Sequence, residues 1–218
     1  MVENVAKVVG RSMLHESKLQ DKRVLGVFSS WGGICACFVE RDRILNGVNS
    51  LIGEIGHMVL DPDSDITCGC GGHGCFERLV SNEQLRKYVA ESIASYPDSL
   101  LNSFSIDELN VSTVFSASTL GDAFAQKIST RLARFFAMAL RNVALSFDPE
   151  VVVFQGDFSA ADELFRETIY QDLGSFLYYP SRNPFNLYFD QRPIQELNIR
   201  GSYTMLLDHL FSNSALYE

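Results

Sequence analysis

Apolar residues return along this chain with two different periods, and the switches between them give an order of elements. Val2, Val5, Val9 and Met13 recur at helical spacing, which predicts an amphipathic helix over residues 2–16. Residues 22–30 (KRVLGVFSS) and 34–40 (ICACFVE) are rich in β-branched and aromatic side chains and predict two strands. Ser29-Ser30-Trp31-Gly32-Gly33 connects them, and Arg41-Asp42 turns the chain into a short third strand ending near Gly47. Residues 48–76 follow neither period and predict irregular chain. A helix is expected to begin near Phe76 and another to cover 81–94. Pro97 and the polar stretch after it predict a loop with a short helix at 106–109.

The strongest helical signal passes through Phe124, Ile128, Leu132, Phe135, Ala139 and Val143, which fall on one face. Asp148-Pro149 closes it. Val151-Val152-Val153-Phe154 then predicts a strand buried on both faces, as in the middle of a parallel sheet. A helix over 160–172, a strand over 186–189 and a last helix over 201–211 complete the chain. Three meander strands followed by alternating helix and strand predict an α/β fold, a mixed sheet flanked by helices.

Composition narrows the function classes. With 218 residues the chain can bury a sizeable core, as one larger domain or two small ones. A net charge of −9 with no run of Lys and Arg weighs against nucleic-acid binding by these residues. No apolar run approaches the roughly 20 residues that span a bilayer, and the N-terminus has no signal-peptide pattern. Five cysteines, three of them close together, fit a reducing cytoplasm better than a disulfide scaffold.

The chemistry concentrates in residues 53–57 (GEIGH) and 68–77 (CGCGGHGCFE). His57, Cys68, Cys70 and Cys75 supply the number and softness of ligands that tetrahedral Zn²⁺ prefers. Gly71, Gly72 and Gly74 allow the backbone to fold sharply enough to aim the last two sulfurs at one point. His73 is an alternative imidazole, although its place between two glycines fits an exposed loop residue. Cys35 and Cys37 share one face of a strand; they read as small buried apolar residues or as ligands of a second metal. Glu54 and Glu77 bracket the cluster and are not needed for four-coordination. Each could cap a helix or sit at the surface, or accept hydrogen bonds from a ligand.

Residues 53–57 followed by Cys68-x-Cys70-Gly71-x-x-Gly74-Cys75-x-Glu77 resemble the signature of the ROK family (repressors, open reading frames and sugar kinases). Residues 43–47 (RILNG), 148–154 (DPEVVVF) and 199–202 (IRGS) extend the resemblance over most of the chain. It implies a two-lobed, actin-like ATPase fold of the ribonuclease H-like type. Residues 1–218 would then be a single C-terminal lobe with the helix leading into it, carrying a zinc and sugar loop at about 48–77. The N-terminal lobe and the winged helix-turn-helix of the repressor branch would lie outside this chain. The resemblance further implies a structural zinc on His57, Cys68, Cys70 and Cys75, and a sugar site made by Glu54, His57, Glu77 and Asn4. Carboxylates accept sugar hydroxyls, and a metal-bound imidazole offers its other N–H. Four protein ligands leave no open position for activating water.

Three departures from the family pattern bear on activity. Val5 stands where the family has the Asp that takes the sugar proton. Trp31-Gly32-Gly33-Ile34-Cys35-Ala36-Cys37 replaces a glycine-rich phosphate turn. Asp157, in Gln155-Gly156-Asp157, brings a negative charge to a nucleotide-receiving turn. The expected function is therefore a zinc-containing sugar-effector domain of a ROK-type transcriptional regulator, catalytically inactive. It would bind a sugar or sugar phosphate, reach DNA only through a segment outside this chain, have no membrane partner, and form a homodimer or tetramer in the cytoplasm. The alternative is the C-terminal part of an ATP-dependent, glucokinase-like sugar kinase.

Overall fold

A computed structural model describes residues 4–14, 16–30, 32–41, 43–175 and 185–212. The expectations for Val2, Trp31 and Asp42 fall outside these residues. The frame is a five-stranded sheet in the order β3-β2-β1-β4-β5, comprising β1 (Arg23–Ser30), β2 (Gly33–Glu40), β3 (Arg43–Ile44), β4 (Val151–Gly156) and β5 (Asn186–Asp190). β1 and β2 are antiparallel, with Val24 opposite Val39, and β3 extends the meander. β4 runs parallel to β1 on its other side, with Val24 opposite Val151, and β5 runs parallel to β4. The mixed sheet expected from the hydrophobic pattern is present. Ile34, Ala36 and Cys37 are strand residues of β2, as the hydrophobic pattern predicts, although the family resemblance counts them with a degenerate phosphate turn.

Alternation sends the two faces of the strands into different cores. Leu25, Val27, Val152 and Phe154 belong to the main core under the long helix α5 (Ala123–Phe147). Val24, Val39, Val151 and Val153 point to a smaller cluster with Met13 on the opposite face. There α1 (Val5–Arg11) is sandwiched against α7 (Ile194–Ser212). At Gly201 the two helices approach so closely that a Cβ would run into the Val8 carbonyl.

α5 starts at Asp122, whose carboxylate accepts from the Ala125 N–H at 2.8 Å. It ends at Asp148 in the left-handed region, φ 51°, where Pro149 prevents continuation. Its buried face corrects one expected position. Phe136 is the core residue, packed on Phe76, Phe158 and Phe165 at centroid distances of 4.8, 4.5 and 5.3 Å, and Phe135 is only half-buried. α2 (Phe76–Leu79), α3 (Asn82–Ser92) and α6 (Glu163–Gly174) fall near their expected places.

Three elements differ from expectation. The helix expected at 106–109 is a turn, closed by Glu108 N–H to Ser105 carbonyl at 3.1 Å and by the Glu108 carboxylate on Ser105 N–H at 3.0 Å. The helix lies just after it, α4 (Val111–Thr119), started by a reciprocal cap between Asn110 and Thr113. α1 is shorter than 2–16 because the Ser12 hydroxyl bonds the Val9 carbonyl at 2.6 Å and the chain then turns away. α7 begins before residue 201 because Pro193 opens it and its carbonyl accepts from Glu196 N–H at 2.9 Å. Among the described residues no helix is long and apolar enough to cross a membrane.

Candidate metal centre

The loop after β3 is tied back onto β2 before it delivers any chemistry. Ala36 N–H donates to the Gly53 carbonyl at 2.7 Å. Gly53, at φ 102°, lies so close to the Ala36 carbonyl that no side chain fits. One 3₁₀ turn, Ile55–His57, then presents His57. The chain returns through two isolated bridges, Val59 with Cys75 and Thr67 with His73. Between them Gly74, at φ 63°, packs against the Asp61 carbonyl. Phe76 is fully buried and stands edge-on to Phe136. That anchor sets where α2 begins and so places Cys75 and Glu77 on either side of it.

His57, Cys68, Cys70 and Cys75 come together, their ligand atoms all within 4.8 Å of one another. Cys68 Sγ lies 3.5 Å from His57 Nδ1, and the sulfurs of Cys70 and Cys75 are 3.6 Å apart. A tetrahedral zinc with bonds of about 2.0–2.3 Å has ligand–ligand edges of about 3.5–3.8 Å, so the donor set fits a metal ion. Burial pushes the Cys75 thiol up to about 12, helped by its contacts with Cys70 and Cys68, and burial raises Cys68 too. Exposed Cys70 is held below the usual thiol value by the backbone N–H of Gly72 and by its contact with Cys75. Two buried thiols that resist ionisation on their own are the kind a bound cation deprotonates. His73 is exposed and outside the group. Cys35 and Cys37 do not join it, nor do they form a second one among the described residues.

The carboxylates line up against this cluster. Glu54 Oε2 lies 3.8 Å from His57 Nε2. Glu77 Oε1 is 3.6 Å from His57 Nδ1 and 3.4 Å from Cys68 Sγ, and its Oε2 accepts from Ile34 N–H at 3.4 Å. Their side chains are 35% and 16% exposed, so Glu54 faces outward while Glu77 is wedged behind the loop. Asn4 caps α1, accepting from Ala6 N–H at 2.8 Å, and extends its amide to Glu54 Oε1 at 3.5 Å. All four expected sugar residues thus converge, with Val5 beside them at the start of α1.

Sequence reasoning missed Cys35 as part of this wall. Its thiol is pushed up to about 12 by burial and then by the charges of Glu54 and Glu77, and it points to the Phe28 carbonyl at 3.9 Å. Its alternation on β2 put it on the right face, but nothing local pointed to the two carboxylates. Past Glu77 an adjoining cleft is lined by Ser29, Gly32, Gly33, Ser81 and Asp157, and desolvation raises the Asp157 carboxyl above its ordinary value.

A family model described as the ROK family matches residues 9–201. The chain belongs to the ROK family. Among its relatives, a glucokinase of Halalkalibacterium halodurans is 31% identical over 147 residues, covering 66% of this chain and 44% of that protein. The DNA-binding transcriptional dual regulator NagC of Escherichia coli K12 is 26% identical over 132 residues, covering 61% and 32%. The ROK chain thus spans less than half the length of these curated relatives. A crystal structure of a ROK family glucokinase from Streptomyces griseus, in complex with glucose and AMPPNP, superposes with a TM-score of 0.78 at 23% identity, over 93% of this chain and 67% of that one. The fold is therefore the ROK sugar-kinase fold of the actin-like ATPase type, and the ROK group has both kinases and repressors among its members related to this chain.

Proposed function

We propose that this ROK chain is one C-terminal-type lobe of a sugar-responsive transcriptional regulator, that it binds a sugar or sugar phosphate, and that it does not phosphorylate it. The observation that carries the reading is the contrast at one spot. Asn4, Glu54, His57 and Glu77 converge on the metal-ligand group, while the neighbouring Val5 offers no group that can take a proton. General-base assistance is typically worth about 10²–10⁴ in rate, and a valine supplies none of it.

His57 Nδ1, Cys68, Cys70 and Cys75 would hold the metal, and the donor set favours zinc. When bound, the metal supplies structure: it closes the loop and fixes the imidazole tautomer. Glu54 then accepts two neighbouring sugar hydroxyls, His57 Nε2–H donates to a third, and Glu77 holds both the loop and the floor of the site. The backbone N–H of Ile34 keeps Glu77 oriented. Contact with DNA belongs to a segment outside these residues, and the assembly is a cytoplasmic homo-oligomer.

The test is an ATP-dependent phosphorylation assay on the intact protein with a panel of hexoses, paired with calorimetry for sugar binding. Binding without turnover is the expected result. Turnover in the ordinary kinase range of about 1–100 s⁻¹ would overturn it. One observation favours a second reading, the C-terminal part of a sugar kinase: identity to the glucokinase, 31%, exceeds that to the regulator, 26%. That reading needs another residue as base, so Val5→Asp would leave an already measurable activity unchanged.

A further inference from the structure

The four metal-ligand residues divide into an inner and an outer half. His57 and Cys68 face the carboxylates, with Glu77 Oε1 at 3.6 Å from His57 Nδ1 and 3.4 Å from Cys68 Sγ. Cys70 and Cys75 make the other half, their sulfurs 3.6 Å apart. Cys70 is exposed, whereas Cys68 and Cys75 are buried. Glycines keep this outer half bare. A Cβ at Gly69 or Gly71 would meet nothing within 4 Å, and one at Gly72 would rest on both sulfurs, 3.5 Å from that of Cys70 and 3.8 Å from that of Cys75. Gly72 is thus the position from which a side chain would roof the pair, and it has none.

The chain also holds the two sulfurs with unequal firmness. Cys75 follows Gly74, whose carbonyl accepts from Leu60 N–H at 3.0 Å and whose own N–H donates to the Ile66 carbonyl at 3.0 Å, and it precedes the fully buried Phe76. Cys70 rides the tip of a turn closed by Cys68 N–H on the Gly72 carbonyl at 2.9 Å and by Gly71 N–H on the Cys68 carbonyl at 3.0 Å. We propose that Cys70 and Cys75 are a peroxide-sensitive pair whose closure to a disulfide unloads the metal. The inference rests on the metal reading of the site. Metal binding takes the sulfurs as thiolates, the form that attacks a peroxide. Cys70 Sγ attacks one oxygen of hydrogen peroxide, the O–O bond breaks, hydroxide departs, and Cys70 becomes a sulfenic acid. Cys75 Sγ then attacks that sulfur, so that the S–S bond forms, the S–O bond breaks and a second hydroxide leaves. Two thiolates and one peroxide become one disulfide and two hydroxides, the sulfurs losing the two electrons that the peroxide gains. From 3.6 Å the pair must close by about 1.5 Å to reach the bond length, a movement that the glycine turn supplies while Cys75 stays in place. Only His57 and Cys68 then remain as ligands, too few for a structural zinc.

The test treats the full, zinc-loaded chain with hydrogen peroxide while a chromogenic chelator reads free zinc. Zinc release is expected to run in step with a Cys70–Cys75 disulfide found by peptide mapping. A sulfenate-trapping diketone present during the reaction should label Cys70. Dithiothreitol with added zinc should return the melting temperature to its starting value. Gly72→Val roofs the pair without removing a ligand, so release should slow about threefold or more while zinc affinity stays within about twofold. Should that variant not load with zinc, Gly72→Ala, whose methyl rests in ordinary contact with both sulfurs, carries the same comparison. A reduced chain that binds no zinc overturns the metal reading and this inference together. The pair alone is overturned if zinc binds and stays bound through oxidation, if the disulfide or the diketone label includes Cys68, if reduction does not reverse the change, or if the Gly72 variant releases zinc as fast as wild type.

Discussion

His57 turns Nδ1 toward Cys68, 3.5 Å from its Sγ. Coordination at that nitrogen leaves the ring proton on Nε2, the side that faces Glu54. Cobalt titration of the reduced protein should therefore give thiolate-to-metal charge-transfer absorption that saturates at one equivalent, displaced by zinc. Cys75→Ser should weaken binding by more than about 100-fold, beyond the effect of losing an outer partner. Chelator should lower the melting temperature of the wild-type protein and leave that of Cys75→Ser nearly unmoved.

Glu54 and Glu77 should separate in experiment, because Glu77 meets two members of the ligand group, His57 and Cys68, and is the more buried, while Glu54 meets His57 alone. Glu54→Gln is expected to weaken sugar binding about tenfold in calorimetry, with a smaller loss of metal affinity than Glu77→Gln. Glu77→Gln should lower both, with metal affinity falling about 10- to 100-fold. Equal effects on metal affinity would contradict the different placements of the two carboxylates.

Asp122 ties the start of α5 to the segment before α4. Burial alone would raise its pKa, but hydrogen bonds from Ala125 N–H, the Ser99 hydroxyl and Leu100 N–H outweigh it and hold the carboxyl below its ordinary value of 3.8. A depressed folded-state value means that its stabilisation is fully present above the unfolded value and disappears as pH falls through the folded one. Asp122→Ala should cost about 1–2 kcal/mol in urea unfolding near neutral pH. The gap to wild type should close only well below pH 4, in the window set by that depression.

Gly201→Ala tests the seam between α1 and α7. The added methyl meets the Val8 backbone, which has no side-chain freedom to yield, so about 1–3 kcal/mol of destabilisation is expected from the urea midpoint. Ser202→Ala, exposed one residue along, should stay within about 0.5 kcal/mol.

How much of this was legible in the chain follows from the range of each signal. β1, β2 and β4 are runs of β-branched and aromatic residues, a local pattern, and their ends fall within two residues of where the pattern places them. The ligand group was legible because His57 and three cysteines are close in sequence, and loop closure brings them together. α4 was hidden because VSTVFSAST is rich in β-branched and hydroxyl residues; its readable mark was the Asn110–Thr113 cap. Phe136 was mistaken for Phe135 because a three-residue step and a four-residue step are equally helical, and only packing on Phe76 decides between them. Cys35 near Glu54 and Glu77 is a long-range juxtaposition that no spacing encodes.

β1 leaves the sheet toward β2 on one side, and β4 leaves toward β5 on the other, from neighbouring ends that point the same way, where Ser29 pairs with Gly156. Two exits that diverge from adjacent parallel strands leave a crevice between them that no residue has to excavate. The cleft with Gly33, Glu77 and Asp157 on its walls lies at that divergence. Its location is a property of connectivity, inherited by any sequence that threads the sheet in this order. A lineage can therefore trade a residue on its wall, such as a glycine for Asp157, without rebuilding the cleft itself.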